Sequence, residues 1–78
     1  MGLAMTTVTV YVRLLDEGTD VFRPAEAEQL PNGTYRLLAT RDYDPEDEHW
    51  EFLPGQFVRC EYTMLHGGER LVAMALAG

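Results

Sequence analysis

The stretch that decides the fold runs from residue 44 to residue 60 and reads DPEDEHWEFLPGQFVRC. It holds the only tryptophan and the only cysteine of the chain, together with a dense cluster of acidic residues. An acidic turn leads into Trp50 and Phe52, and a Pro54-Gly55 corner then introduces a segment with strand character. This order is typical of an irregular connection that aromatic side chains fasten to a β core. We therefore expect Trp50 and Phe52 to plug one end of a β structure.

The beginning of this stretch carries the signals of a helix start. Asp44 is suited to cap a first turn, Pro45 is favoured at the first helical position, and the acids that follow complement the helix dipole. Only one turn fits before Trp50. The sequence therefore predicts a single short helical turn near residues 45–49 and no other helix.

The segment after the Pro-Gly corner predicts a β-hairpin. Residues 57–65 alternate in polarity, with one face made of Val58, Cys60, Tyr62 and Met64. A three-residue loop over 66–68 would bring large apolar groups together across the hairpin: Cys60 with Met74, Val58 with Leu76 and Tyr62 with Val72. A two-residue loop would instead turn Leu71 and the alanines inward. We favour the three-residue loop because it fills more volume.

The N-terminal half predicts a second hairpin. Residues 6–14 alternate with high β propensity, and one face is apolar: Val8, Val10, Val12 and Leu14. Residues 16–18 read as a tight turn, which places Phe22 inward, opposite Val12, in a strand over residues 19–30.

Further along this second strand the inward face changes parity, because Ala25 and Ala27 are also expected to point inward. Proline cannot donate to a β ladder and is found at edges or bulges. We therefore expect a bulge at Arg23-Pro24 that switches the face.

Pro31-Asn32-Gly33 predicts a turn into a third strand over residues 34–40. A two-residue Asn-Gly loop would place Glu28 opposite Leu37. A three-residue loop with a left-handed Gly33 pairs Glu28 with Arg36 and Ala27 with Leu37. We favour the second register because it pairs charge with charge and apolar with apolar. The side chains expected to face inward on the third strand are Tyr35, Leu37 and Ala39.

Together these segments predict a mainly β fold with about five antiparallel strands in hairpins, curled into a small barrel or a strongly bent sheet. The 78 residues form one domain, in which residues 1–5 are expected to be disordered. A domain of this size has little core and often needs a disulfide, a metal or self-association. The single cysteine excludes an internal disulfide, so a homodimer is kept as an alternative to a monomer.

The charge of the chain restricts its partners. The formal net charge is −7, and all basic residues are arginines. Nucleic acids and anionic membrane surfaces both require a cationic surface, so neither is an expected partner. No apolar run reaches the length of a membrane span, and the N-terminus lacks a signal-peptide pattern. A lone cysteine without such a signal indicates a cytoplasmic protein.

Two runs, DEGTDVFRP at 16–24 and PEDEHWEFLPG at 45–55, together with VRCE at 58–61, resemble a pattern shared by a group of short, uncharacterised bacterial proteins. The resemblance implies no activity, cofactor or ligand. Phe22 stands where that pattern has tryptophan, so an aromatic side chain is kept there. The Pro-Gly-x-x-Val corner at 54–58 is also similar in style to SH3-like barrels, which place their short helical turn later in the chain.

The acidic cluster first suggests calcium, because Asp42, Asp44 and Glu46 have the spacing of the first three ligands of a calcium loop. Asp47 then stands where such a loop has glycine, and Leu53 where it has glutamate. We therefore expect no metal and no cofactor. The cluster is interpreted first as a solvated turn and second as a docking surface for a basic partner.

Cys60 is the one candidate nucleophile, with His49 or His66 as a general base. Its parity points it into the core, where a thiol behaves as a small apolar group. Arg23 and Arg59 are expected to face outward and to form surface ion pairs, or else to flank a groove near Trp50 that binds an acidic or planar ligand. The candidate binding residues are thus Arg23, Asp44, Asp47, Glu48, Trp50 and Arg59.

The leading hypothesis is a non-catalytic cytoplasmic protein-interaction module, with self-association as one form of it. The second hypothesis is an acidic inhibitor or immunity-type protein that binds a basic partner such as a nuclease. The third is a small enzyme that uses Cys60. The sequence contains no glycine-rich phosphate loop and no paired CxxC motif, which favours the two binding hypotheses.

Overall fold

The computed structural model describes residues 6–77 as five β-strands that close into a small barrel. The strands are β1 (Thr7–Leu14), β2 (Val21–Gln29), β3 (Tyr35–Leu37), β4 (Phe57–Leu65) and β5 (Gly68–Leu76). Consecutive strands pair antiparallel, and β5 closes the barrel by pairing parallel with β1 through Val72 and Tyr11. The predicted five-stranded fold is confirmed. The predicted disorder of residues 1–5 lies outside the described residues.

The β1–β2 ladder runs without interruption as far as the pair of Leu14 and Val21. The bulge predicted at Arg23-Pro24 is therefore wrong. Glu26 accepts a hydrogen bond from Leu38 N just past the end of β3 (2.9 Å). Pro24 lies two residues earlier and its nitrogen faces the same side, beyond the end of β3, so the missing N–H leaves no partner unbonded.

The predicted inward position of Phe22 is also wrong. The connection between β1 and β2 occupies residues 15–20 rather than 16–18 alone, so Phe22 pairs with Arg13 and lies on the outer face. Asp16 and Gly18 take positive φ angles of 64° and 75°, which bend this longer loop. The ladder thereby keeps one parity throughout, and no switch of face is needed.

The β2–β3 hairpin has the favoured register, with Ala27 opposite Leu37 and Glu28 opposite Arg36. Gly33 donates to Leu30 O (3.1 Å) and takes a φ of 87°, as the three-residue loop requires. The third strand is shorter than predicted. It ends at Leu37, and Ala39, which was expected inward, is exposed.

The connection from β3 to β4 contains a hydrogen-bonded turn over residues 45–47, and residues 6–77 contain no helix. The Asp44 carbonyl closes this turn by accepting from Asp47 N (3.0 Å) and Glu48 N (2.9 Å). The helical turn predicted near residues 45–49 does not continue because His49 O is bonded by Leu15 N (2.7 Å), which turns the chain alongside β1. No helix among the described residues is long and apolar enough to span a membrane.

The β4–β5 hairpin has the two-residue loop, His66 and Gly67, so the favoured three-residue loop is wrong. Cys60 lies opposite Ala73 and Tyr62 opposite Leu71, and only the pair of Val58 and Leu76 is as predicted. The register shifts between Arg59 and Cys60, where β5 carries one extra residue, Met74. The prediction from volume is wrong because side chains from the connection between β3 and β4 already fill the barrel. Opposite Cys60, β5 therefore needs to supply only an alanine, Ala73.

These filling side chains are Trp50 and Phe52, which are 2% and 8% exposed. Trp50 forms a β-bridge with Leu14, at the end of β1. They join a buried core contributed by every strand: Val10, Val12, Leu14, Ala25, Ala27, Leu37, Val58 and Ala73. The predicted aromatic plug is confirmed.

Replacement of the plug tests how much of the fold depends on it. We expect Trp50→Ala to lower the free energy of unfolding by about 3–5 kcal/mol, because the indole is buried and leaves a cavity. Urea unfolding followed by circular dichroism measures the change. The control is Leu53→Ala, at a side chain that is 47% exposed in the same connection, for which we expect a change within about 0.5 kcal/mol. Equal losses in the two variants would contradict a plugging role.

Candidate functional site

Arg23 organises the contacts beneath the acidic turn. It pairs with Val12 across the β1–β2 ladder, so it shares the inner face with the core residues, and the expected outward position is wrong. Its guanidinium forms a hydrogen-bonded ion pair with Asp42, and its Nε lies 3.6 Å from Glu48 Oε1. Arg23 thus ties the start of β2 to both sides of the acidic segment.

Trp50 belongs to the same cluster through its ring nitrogen. The indole N–H donates to Glu48 Oε1 (3.0 Å), and the ring of Tyr43 meets the indole edge-on with centroids 4.8 Å apart. Because the indole is almost fully buried, it is a part of the scaffold and not a surface for a planar ligand. Of the six candidate binding residues, the structure brings together three: Arg23, Glu48 and Trp50.

Asp42 and Tyr43 were not among the candidate binding residues, although both complete this cluster. The Arg23 guanidinium, which donates to Asp42, holds the pKa of that carboxyl below its ordinary value. The signal that could have found this pair is the parity of Arg23. An arginine on an inner face must reach a carboxylate near the barrel end, and the nearest acidic segment follows β3.

Two acidic segments of the sequence meet at this end of the barrel. Besides the bond between Leu15 and His49, Glu51 N donates to Arg13 O (2.8 Å), and His49 Nδ1 lies 3.0 Å from Asp16 Oδ2. We call residues 13–23 and 41–51 the acidic end. It contains nine acidic residues and three arginines, so it carries a formal charge of −6 out of the −7 of the whole chain.

Asp44 and Asp47 lie in the exposed turn of the acidic end. The Asp44 carboxylate accepts from Glu46 N (2.9 Å) and is used as a cap, whereas Asp47 faces solvent. Asp42, at the first position of the calcium-loop spacing, is likewise already bonded, in its case to Arg23. Across residues 6–77, no three side chains of the metal-binding types gather at one point.

Arg59 lies elsewhere. It is exposed on β4 opposite Ala75, and it lines a cleft of about 360 Å³ with Phe57, Asn32 and Thr34. A groove beside Trp50 with Arg23 and Arg59 on either side is therefore not formed, because the two arginines belong to different surfaces.

The exposed apolar surface is concentrated on one hairpin. Within residues 6–77, seven large apolar side chains are exposed, and five of them lie on β4 and β5: Phe57, Tyr62, Met64, Met74 and Leu76. Tyr62 and Met64 are 71% and 75% exposed. Sequence parity placed these two on the inner face, but β3 pairs only with the first two residues of β4, so nothing covers the face beyond it. The β3–β4 register, which places Tyr35 at the start of β3 opposite Val58, decides this exposure.

The tip of the same hairpin faces the outer side of β1 and β2 across a cleft of about 440 Å³. Its walls include Tyr11 and Phe22 on one side and Met64 and Arg70 on the other. The Arg70 guanidinium lies 5.9 Å from the centre of the Tyr11 ring, a cation–π distance. This cleft of apolar side chains and one cation borders the acidic end, because Asp20 and Phe22 belong to both.

Cys60 is half-buried and packs against the core. Burial raises the pKa of its thiol to about 11, so the reactive thiolate is scarce at neutral pH.

We expect iodoacetamide to label native Cys60 at pH 8 about a hundredfold more slowly than the urea-unfolded chain, because the ordinary cysteine pKa is about 8.5. The native rate should keep rising with pH toward the raised pKa. Mass spectrometry of the alkylated protein measures both rates. Equal rates at pH 8 would contradict the raised pKa, whereas a native rate faster than the unfolded one would show an activated thiol and would revive the enzyme hypothesis.

The chain matches no protein-family model, no curated protein and no solved structure. What it does must therefore be inferred from its own surfaces. Two of these surfaces differ sharply in chemistry: the acidic end, built around Arg23 and Trp50, and the apolar β4–β5 hairpin that projects past β3.

Proposed function

We propose that this chain is a non-catalytic cytoplasmic protein-interaction module whose binding surface is the β4–β5 hairpin. The observation that carries the proposal is the concentration of exposed apolar side chains on that hairpin. An exposed apolar patch on a small soluble domain is a typical mark of a contact surface, because leaving it in water is unfavourable. Cys60 supports the non-catalytic part, since it is a protonated thiol packed against the core.

The unpaired edge of β4 favours an extended partner. β4 has an unpaired side after Val58, and Tyr62 and Met64 stand next to that side. A strand-like peptide can form hydrogen bonds with the main chain on that side of β4. Every second side chain of the peptide, if apolar, then packs against Tyr62 and Met64. The low charge of β4, with one arginine and one glutamate, suits an uncharged apolar segment.

Selection from a library of displayed decapeptides tests this proposal with the folded domain as bait. We expect the enriched peptides to be apolar and to bind with a Kd of about 1–100 µM, measured by fluorescence anisotropy. The double variant Tyr62→Ser, Met64→Ser should weaken binding by about tenfold or more, because it removes the apolar contacts beside the free edge.

The matched control is Leu15→Ser, Leu53→Ser, which removes two exposed apolar side chains that do not lie on the hairpin. We expect it to leave peptide binding unchanged. Failure to enrich any peptide, or an equal loss in both double variants, would contradict the hairpin as the binding surface.

The second candidate is an acidic inhibitor that docks a basic protein, and the distribution of charge favours it. Nearly the whole net charge belongs to the acidic end, and a field of one sign on one side of a molecule steers an oppositely charged partner. On this proposal Asp44, Asp47 and Glu48 belong to the docking surface, with Arg23 and Trp50 holding it in place.

Two variants with the same change in net charge separate this docking role from bulk charge. The first is Glu17→Gln, Glu46→Gln, Asp47→Asn in the acidic end, and the control is Glu26→Gln, Glu61→Gln, Glu69→Gln elsewhere; all six side chains are exposed. For a deca-arginine probe at low salt, we expect the first to weaken binding about fivefold to tenfold more than the control. Anisotropy titrations measure this ratio, and a ratio of one would remove the acidic end as a docking surface.

A further inference from the structure

The β4 strand has a free edge along most of its length. On the side away from β5, β4 pairs with β3 only at Phe57 and Val58, and Val58 lies opposite Tyr35, the first residue of β3. Among residues 6–77, no strand pairs with residues 59–65 on that side. A free edge of seven residues is long enough to take up another strand.

The main-chain groups on this edge can be identified by alternation. Val58 pairs with Tyr35, and Gln56 O accepts from Leu37 N (2.9 Å), so the even-numbered residues direct their main-chain groups toward β3. The extra residue at the register shift belongs to β5, so the alternation along β4 is unbroken. Beyond β3, the groups that reach the free side therefore belong to Cys60, Tyr62 and Met64.

The same three residues also share the face on which Tyr62 and Met64 are exposed. Unsatisfied main-chain groups and uncovered apolar side chains thus coincide at one edge. The charge of the edge allows a second copy to approach there, because residues 59–65 carry only Arg59 and Glu61, which cancel.

We infer that the occupant of this edge is a second copy of the chain, which pairs its own β4 antiparallel with residues 59–65 about a two-fold axis at Tyr62. This inference rests on the proposed function and names the partner. Tyr62 then lies opposite Tyr62 of the partner subunit, and Cys60 lies opposite Met64 of the partner subunit. Each of these pairs exchanges both of its main-chain hydrogen bonds, and their side chains form one continuous apolar face.

Other registers are less favourable. An axis at Glu61 would place two Glu61 carboxylates directly opposite each other, and like charges in that position destabilise a ladder. An axis at Cys60 would direct the incoming strand into β3, which already occupies the side of Val58. The axis at Tyr62 uses the whole free edge, opposes no like charges and leaves β3 in place.

Amide hydrogen exchange measured by NMR at two protein concentrations tests the inference. Since a single pair of added strands makes a small interface, we expect a Kd of about 10–100 µM. Well above that concentration, the amides of Cys60, Tyr62 and Met64 should exchange about tenfold more slowly than well below it. The amides of Glu61 and Thr63, which face β5, should not change with concentration.

Two lysine variants give a matched control for this experiment. Tyr62→Lys places a charge at the two-fold axis and should abolish both the slower exchange and the dimer seen by light scattering. Thr7→Lys adds the same charge at an exposed position of β1 and should leave both unchanged. Each side chain is exposed, and circular dichroism verifies that each variant folds.

Disulfide trapping tests the register. Two Cys60 residues would be four positions out of line, about 13 Å apart along the strands, so oxidation of the native chain should yield no covalent dimer. In a Cys60→Ser background, Tyr62→Cys should yield one, because the two residues at the axis oppose each other. A covalent dimer through native Cys60, with none through residue 62, would overturn the register.

The outcomes of these experiments separate a failure of this inference from a failure of the proposed function. A chain that stays monomeric at every concentration but still binds the selected peptides overturns the second copy as occupant and leaves the interaction module standing. A monomer that binds no peptide overturns both. A dimer that survives Tyr62→Lys overturns the β4 edge as its interface.

Discussion

The burial of one indole against the end of β1 is the constraint on which the rest of this structure depends. Trp50 is bridged to Leu14, its N–H is bonded to Glu48, and Tyr43 packs against its ring. A five-stranded barrel of this size has few strand residues to fill it, and the connection before β4 supplies the missing volume. Because the indole is held there, β5 can cross the interior with Ala73 and leave Met74 and Leu76 exposed.

The same burial sets the position of the charges. With Trp50 beside Leu14, the acidic segment lies against the β1–β2 loop, and Arg23 is left on the inner face with Asp42 and Glu48 as its partners. The lowered pKa of Asp42 means that this ion pair stabilises the fold above the ordinary aspartate range and that its contribution is lost as the pH falls through the lowered value. A contact made for packing thus also produces a surface with a net negative charge, unlike the apolar surface of the β4–β5 hairpin.

Much of the fold could be predicted from residue patterns because the strongest ones are local. Alternation placed β1 and β4, and the Pro-Asn-Gly turn fixed the β2–β3 register by charge and size. The errors arose where a loop length or a long-range contact decided the outcome. The β1–β2 loop has six residues, which places Phe22 on the outer face. The β4–β5 loop has two residues, which places Ala73 opposite Cys60 in place of Met74. Of the candidate site, the joining of Arg23, Glu48 and Trp50 was partly foreseeable. The exposure of Tyr62 instead follows from the long-range register that places Tyr35, the first residue of β3, opposite Val58, and no local propensity encodes that register.

The barrel is closed by a single parallel pair, Tyr11 with Val72, residues near opposite ends of the chain. Closing a loop costs more entropy as the loop lengthens, so the seam carries the largest such cost in the fold and the shortest ladder to offset it. The two long hairpins hold mostly local contacts and can form before the seam does, so we expect closure of the seam to limit the folding speed. The seam is also where the folded chain should open first, as a hinge between two hairpins that keep their own hydrogen bonds.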